Sequence, residues 1–394
     1  MSAAHGATVP YGPLSYDGPP PATGAWREGD PVGERRFLDI GDVEVTVGTT
    51  IPAVRVAYQT WGRLNEERTN AVYVCHALTG DSHVTGDAGP GHLTAGWWAG
   101  LVGPGAPVDT DRWFVVCANV LGGCQGTTGP ASLAPDGRAW GSRFPVITVA
   151  DMVEVERRVM DALEIPSWAL MLGPSLGGMR VLEWMAAYPE RVRSGLVLGT
   201  TAAVSADQIG THATQIAAIE ADPRFLGGDY YDQPAGEGPY VGMGIARRIA
   251  HLTYRSESEL DLRFGRDPQG DEDPSDGGRF AVESYLDHQA DKLSRRFDAN
   301  TSVALTRAMS LFDVGEGRGG VAEALGRFRA PLTVVGLDSD RLFPLRLQEE
   351  LVAATPTAHP LRVVRSPYGH DGFLVEKDQV GEIVRDALSS VSVT

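Results

Sequence analysis

The chain has 394 residues, 42% of them hydrophobic, enough for one large domain with an insertion or for two domains around a sizeable core. Its formal charge of −17 argues against nucleic acid or an anionic membrane surface as partner, because both are held by basic patches. No run approaches the roughly 18 uncharged apolar residues of a membrane span, and the start MSAAHGATVP has neither the basic nor the apolar region of a signal peptide, so a cytoplasmic protein is expected.

Residues 1–34 are rich in proline and glycine, as in YGPLSYDGPPPATG, and show no period of 2 or 3.6; they read as an extended, weakly ordered arm. VEVTVGTTIPAVRVAYQTWG reads as hairpin strands, AVYVCHAL and WFVVCANVLGG as buried strands, and VADMVEVERRVMDALEI as an amphipathic helix. SWALMLG then gives a strand, LGGMRVLEWMAAYP a helix closed by proline, and SGLVLGTTA the next strand. Strands alternating with helices predict an α/β fold with a mostly parallel central sheet covered on both faces.

After Ala203 the alternation stops. IGTHATQIAAIEADPRF, GMGIARRIAHLTYRS and the long VESYLDHQADKLSRRFDANTSVALTRAMSLFDV are helical in pattern, with the polar loop DPQGDEDPSDGG before the last. The strand signal returns with APLTVVGL, followed by the helix PLRLQEELVAA, the strand LRVVRS and the helix EKDQVGEIVRDALSS. We therefore expect a core domain of residues 35–203 and 326–394, interrupted by a helical lid domain of residues 204–325. Cys75, Cys117 and Cys124 make an odd count without CxxC spacing and read as reduced core thiols; His76 and His83 have no metal-ligand context, and no metal site is expected.

The stretch GPSLGGMRVLEW places Ser175 where a strand should turn into a helix. Gly173, Ser175 and Gly177 satisfy G-x-S-x-G, in which small neighbours let a serine stand exposed on a strained turn. A serine hydroxyl needs a base, a group to orient that base and donors for the oxyanion it creates. On hydrolase-like sheets the acid and the histidine follow the serine, each after a later strand. Asp338 and Asp340 in GLDSDRLFP stand past one buried strand, and His370 in SPYGHDGFL past the next; periodicity does not choose between the two aspartates. The oxyanion donors should be the backbone N–H of Leu176 and one from CHALTGDSHV, that of Leu78. GGCQGTTGP lacks the lysine of a phosphate-binding loop and reads as a pocket wall.

HALTGDSHV, NVLGGCQGTTGP, GPSLGGMRVLEW, ARRIAHLTYRS, RRFDANTSVALTRAM, DSDRLFP and YGHDGFL, in this order, resemble the homoserine O-acetyltransferases of methionine biosynthesis, members of the α/β-hydrolase superfamily. The resemblance runs from Phe37 to the C-terminus. It implies that Ser175 takes an acetyl group from the co-substrate acetyl-CoA, that His370 is its base and Asp340 the acid. It also implies that Arg247 binds the carboxylate of L-homoserine, that Tyr254 lines the same pocket and that Asp371 faces the amino and hydroxyl end of the amino acid. A ping-pong mechanism, no permanently bound cofactor and a homodimer formed through the helical insertion are implied as well. Relatives on this scaffold use succinyl-CoA, or acylate serine or a deacetylated cephalosporin. A plain esterase would keep Ser175, Asp340 and His370 without needing Arg247 or Asp371. A binding protein on an inactive scaffold would lack a triad member, and none is missing.

Overall fold

The computed structural model describes residues 18–391. Its central sheet has eight strands: β1 (Arg36–Asp39), β2 (Arg55–Trp61), β3 (Ala71–Val74), β4 (Phe114–Ala118), β5 (Leu170–Pro174), β6 (Gly195–Leu198), β7 (Leu332–Leu337) and β8 (Arg362–Val364). Their order is β1-β2-β4-β3-β5-β6-β7-β8. β2 pairs antiparallel with both β1 and β4, and every other pairing is parallel. All residues of β3, β5, β6 and β7 are buried, which is why these strands read as unbroken apolar runs rather than alternating ones.

Side chains of β3 alternate between two cores, Tyr73 in one and Val72 and Val74 in the other. The first core is covered by α1 (Val149–Ala162) and α2 (Leu176–Ala187), through residues such as Val159 and Trp184, and by Leu347 and Leu351 of α9 (Leu345–Ala354). The second is closed by Val380, Ile383 and Val384 of α10 (Lys377–Ser389). Thr148 starts α1 with a capping box completed by Asp151.

Between β6 and β7 lie α3 (Ala206–Glu220), α4 (Tyr240–Tyr254), α5 (Glu257–Phe264), α6 (Ala281–Ser294), α7 (Ala299–Ser310) and α8 (Val321–Gly326). The chain enters and leaves α3–α7 through a narrow neck. Ala203 bridges antiparallel to Asp313, the N–H of Val204 donates to Phe312 O at 3.0 Å, and the N–H of Val314 donates to Ala202 O at 2.9 Å. The long helical run ending at Val314 is two helices, because Asp298 breaks it and caps α7 by accepting from Thr301 N–H. α5, capped by Ser256, was not foreseen in the sequence.

Asp298 is fully buried and accepts from the hydroxyls of Thr23 at 2.8 Å, Tyr230 at 2.7 Å and Tyr231 at 3.1 Å. Through Thr23 it ties down the N-terminal segment. Gly24 N–H donates to Phe297 O at 3.1 Å, Trp26 N–H to Cys124 O at 2.9 Å, and the Arg27 guanidinium to Tyr231 O at 2.7 Å. Residues 18–34 are therefore a strap across insertion and core, where the sequence suggested a weakly ordered arm; residues 1–17 of that expected arm lie outside the described residues. Cys75, Cys117 and Cys124 are buried free thiols. Among the described residues no helix is long and apolar enough to cross a membrane.

Candidate active site

β5 ends at Pro174 and α2 begins at Leu176, so Ser175 alone makes the turn. It does so at φ 54° and ψ −122°, a conformation that an L-residue keeps only when its surroundings enforce it. Ser175 N–H donates to Leu198 O at 2.9 Å, and Ser175 O accepts from the Thr200 hydroxyl at 2.9 Å and from Met179 N–H at 3.1 Å. A Cβ on Gly177 would lie 2.1 Å from Cys75 O, and one on Gly173 would lie 2.6 Å from Gly177 C. The two glycines of the motif are thus required by the close approach of the turn to the end of β3.

Asp340 stands three residues past β7, and His370 follows β8 in the turn Gly369–Asp371. His370 Nδ1 is 2.7 Å from Asp340 Oδ2, while Asp340 Oδ1 accepts from the N–H groups of Leu342 at 2.9 Å and Phe343 at 2.8 Å. Both side chains are buried, as is Ser175. Burial opposes charging of His370, but the carboxylates of Asp340 and Asp371 outweigh it and leave the imidazole above its ordinary pKa. The other candidate, Asp338, is spent elsewhere, accepting from Ser366 N–H at 2.9 Å. Gly199, next to the Leu198 carbonyl that holds Ser175, packs directly on both partners: a Cβ there would lie 3.2 Å from Asp340 Oδ2 and 3.3 Å from His370 Cε1. The serine, the aspartate and the histidine thus all follow the C-terminal ends of parallel strands.

Leu176 is the first residue of α2, and N–H groups of a first helical turn have no partner within the helix. Leu78, half-buried, lies on the loop after β3. That loop is fixed by two buried side chains. His76 Nε2 accepts from Val120 N–H at 3.1 Å, so its Nδ1–H donates to Ala77 O at 2.8 Å; burial, with Arg180 nearby, lowers its pKa to about 3 and keeps it neutral. Arg180 of α2, fully buried, donates to His76 O at 3.2 Å and pairs with Glu156 of α1 at 3.4 Å, while Trp184 Nε1 donates to the other Glu156 oxygen at 2.8 Å.

The C-terminal end of α4 seats against the His370 turn: a Cβ on Gly369 would lie 2.5 Å from Tyr254 O, and the Ser256 hydroxyl donates to Pro367 O. The Tyr254 and His370 rings are 5.8 Å apart, and the Arg247 guanidinium is 5.5 Å from the centre of the Tyr254 ring. Nε and Nη1 of Arg247 are buried without a hydrogen-bond partner. Asp371 is held by Arg255 at 3.4 Å, and Arg255 is gripped in turn by Glu259 at 2.6 Å. Burial raises the Asp371 carboxyl above its ordinary value, against the pull of Arg255, Arg247 and His370. The eight site residues named from the sequence thus fall on the elbow, the two strand-end loops, the loop after β3 or α4, with Tyr254 at the end of α4 and Arg247 two turns earlier. Arg255, His251, Arg180 and Glu156 were not singled out; Arg255 and His251 lie within the quoted ARRIAHLTYRS, which was their signal.

A cavity of about 340 Å³ bounded by Phe144, Phe225, Asn300 and Arg307 contains none of these residues and is a separate feature. Among the described residues no group of three or more His, Cys, Asp or Glu is placed to hold a metal ion.

A family model described as the alpha/beta hydrolase fold matches residues 70–377. The chain is 59% identical over 379 residues to the homoserine O-acetyltransferase of Thermobifida fusca (strain YX), covering 95% of this chain and 100% of that one. Among solved structures, homoserine O-acetyltransferase from Bacillus anthracis superposes with a TM-score of 0.82 at 25% identity, over 91% of this chain and 98% of that one. Esterase E22 superposes with a TM-score of 0.82 at 23% identity, over 90% and 99%, a likeness of fold.

Proposed function

The chain belongs to the homoserine O-acetyltransferase family of α/β-hydrolase-fold enzymes, and from that membership we propose that it moves an acetyl group from acetyl-CoA to the hydroxyl of L-homoserine, in methionine biosynthesis, through an acetyl ester on Ser175. In the first half-reaction His370 takes the proton of Ser175 Oγ, the oxygen attacks the thioester carbonyl, and the oxyanion rests on the N–H groups of Leu78 and Leu176. Collapse breaks the C–S bond, and His370 returns its proton to the departing CoA sulfur. In the second, His370 deprotonates the homoserine hydroxyl, which attacks the ester carbonyl; the C–O bond to Ser175 breaks and Ser175 regains the proton. Asp340 holds the imidazole in the orientation and tautomer that both steps need.

The observation that favours a transferase over a plain esterase is Arg247, whose buried, unpartnered nitrogens lie beside Tyr254 and near Asp371. A guanidinium suits an amino-acid carboxylate because its fork of donors matches two oxygens. Tyr254 lines that subsite, and Asp371 takes the amino end. The helices of residues 204–325 act as the lid that keeps water from the acetyl ester. Val241, Ile245 and Leu252 on α4 and Ile209 on α3 expose apolar side chains, which favours a homodimer formed through the insertion. The reaction needs no permanent cofactor, and the protein works in the cytoplasm.

The test follows free-thiol release by purified protein with each pairing of acetyl- or succinyl-CoA and homoserine or serine, with mass analysis of the Ser175 peptide after acetyl-CoA alone. The acetyl-CoA and homoserine pair should be fastest, and the peptide should gain one acetyl group. Acetylhomoserine formed without that adduct would overturn the covalent route, and acetate release far above acetylhomoserine formation would make the protein an esterase.

A further inference from the structure

The α4 face that meets the catalytic turn carries one polar residue to which neither the sequence nor the proposed mechanism assigns a role. Arg247, His251 and Tyr254 stand at i, i+4 and i+7 of α4 and therefore share one stripe. His251 is 4% exposed, and its Nε2 is buried without a hydrogen-bond partner, as are Nε and Nη1 of Arg247 one turn earlier. Buried donors are nearly always paired in folded proteins, so three unpaired ones on one stripe mark a place that a ligand fills.

The remaining contacts of His251 say which ligand group this is. Its Nδ1 lies 3.3 Å from the Tyr285 hydroxyl, and the two rings meet edge to face at 5.7 Å. The Tyr285 phenol, kept protonated by burial, can donate to Nδ1, and in that arrangement the imidazole proton stands on Nε2. Burial first, then the charges of Arg247, Arg255 and Lys292, keep the His251 ring far below its ordinary pKa and hence neutral. Lys292 feels the same crowding, its pKa lowered to about 8 by burial and by Arg296 and Arg247. A neutral N–H donor in a cation-rich pocket suits an anion with a second oxygen to place; it does not suit an ammonium group.

We propose that His251 is a second binding residue for the acceptor carboxylate, with its Nε2–H taking one oxygen while Arg247 takes the other. The proposal rests on the reading of Arg247 as the acceptor subsite. A charged donor alone supplies attraction, whereas two donors of fixed direction set the plane of the carboxylate and so the direction in which the hydroxyl reaches Ser175.

The test separates the two half-reactions. In His251→Phe, acetylation of Ser175 by acetyl-CoA, which precedes acceptor binding, should proceed at the wild-type rate, while kcat/KM for homoserine falls about 10- to 100-fold, mainly through KM. His251→Gln, whose amide can reach the Nε2 position, should recover part of the loss. With 3-amino-1-propanol, which lacks the carboxylate, wild type and His251→Phe should be equal within about twofold. An equal penalty on both acceptors would assign His251 a merely structural role, and no penalty on homoserine would remove it from the subsite; either overturns the proposal. Should the phenylalanine variant not fold, His251→Asn, which keeps a partner for Tyr285 and loses Nε2, carries the same comparison. Wild-type acetyl-enzyme that fails to transfer to homoserine would instead sink the acceptor reading itself, and the proposal with it.

Discussion

The carbonyl oxygen of His76 accepts a hydrogen bond from the guanidinium of Arg180 at 3.2 Å, so the loop that carries Leu78 hangs from the helix that Ser175 begins. Arg180→Met leaves Glu156 buried and without its cation, and we expect a stability loss of about 3–5 kcal/mol. Adding Glu156→Gln, which still accepts from Trp184, should restore most of it. The double variant should nevertheless turn over about tenfold more slowly, because the loop has lost its tether. Urea denaturation and kcat on the two variants check both halves.

The acid limb of the pH profile should report His370. On the proposed mechanism only the neutral imidazole takes the proton of Ser175, so activity should rise with pH through the pKa of His370, which Asp340 and Asp371 hold above its ordinary value despite burial. The midpoint of kcat/KM for acetyl-CoA should therefore lie above about 6.5. Asp340→Asn should move it down and lower kcat about 10³- to 10⁴-fold. Folding stability has the opposite sign: the pairing contributes fully below the unfolded-state pKa and is lost as pH rises through the folded-state one.

Asp298→Asn tests the strap. The carboxylate accepts from three hydroxyls and one backbone N–H, and an amide cannot accept at both ends. A loss of about 2–4 kcal/mol is expected. Trypsin should also cut the variant after Arg27 far faster than the wild type, which peptide mapping over a time course would show.

Gly199→Ala probes the rear wall of the triad. The position has φ 48°, and the new methyl would press on Leu337, Asp340 and His370 at 3.0–3.3 Å. Stability should drop by about 1–3 kcal/mol, with kcat reduced about tenfold as the imidazole is displaced. Thermal melts and steady-state rates measure the two effects separately.

The elbow was legible because its signal is local: a strand, a serine among glycines and a helix occupy adjacent text, and steric fit at Gly177 demands those residue types. Asp340 and His370 were legible as residues past strand ends. What separates Asp340 from Asp338 was legible only through the family resemblance, since the two stand on one turn; the fold supplies the reason, with Asp338 meeting Ser366 N–H and Asp340 meeting His370. His251 and Arg255 escaped because helical spacing says which residues share a face and is silent about what that face meets. The break at Asp298 was hidden in continuous helical text, and the strap left no period because its partners are single backbone carbonyls and one carboxylate on distant elements.

The neck at Ala203 and Asp313 has a consequence for how such a protein diversifies. Both ends of the α3–α7 segment leave the sheet side by side, joined by backbone hydrogen bonds that any side chains permit. Such a socket accepts a different cassette without disturbing the strand order that assembles the nucleophile and its base. On the proposed function, a change of acceptor can then be confined to α3–α7 while the sheet beneath keeps its strand order.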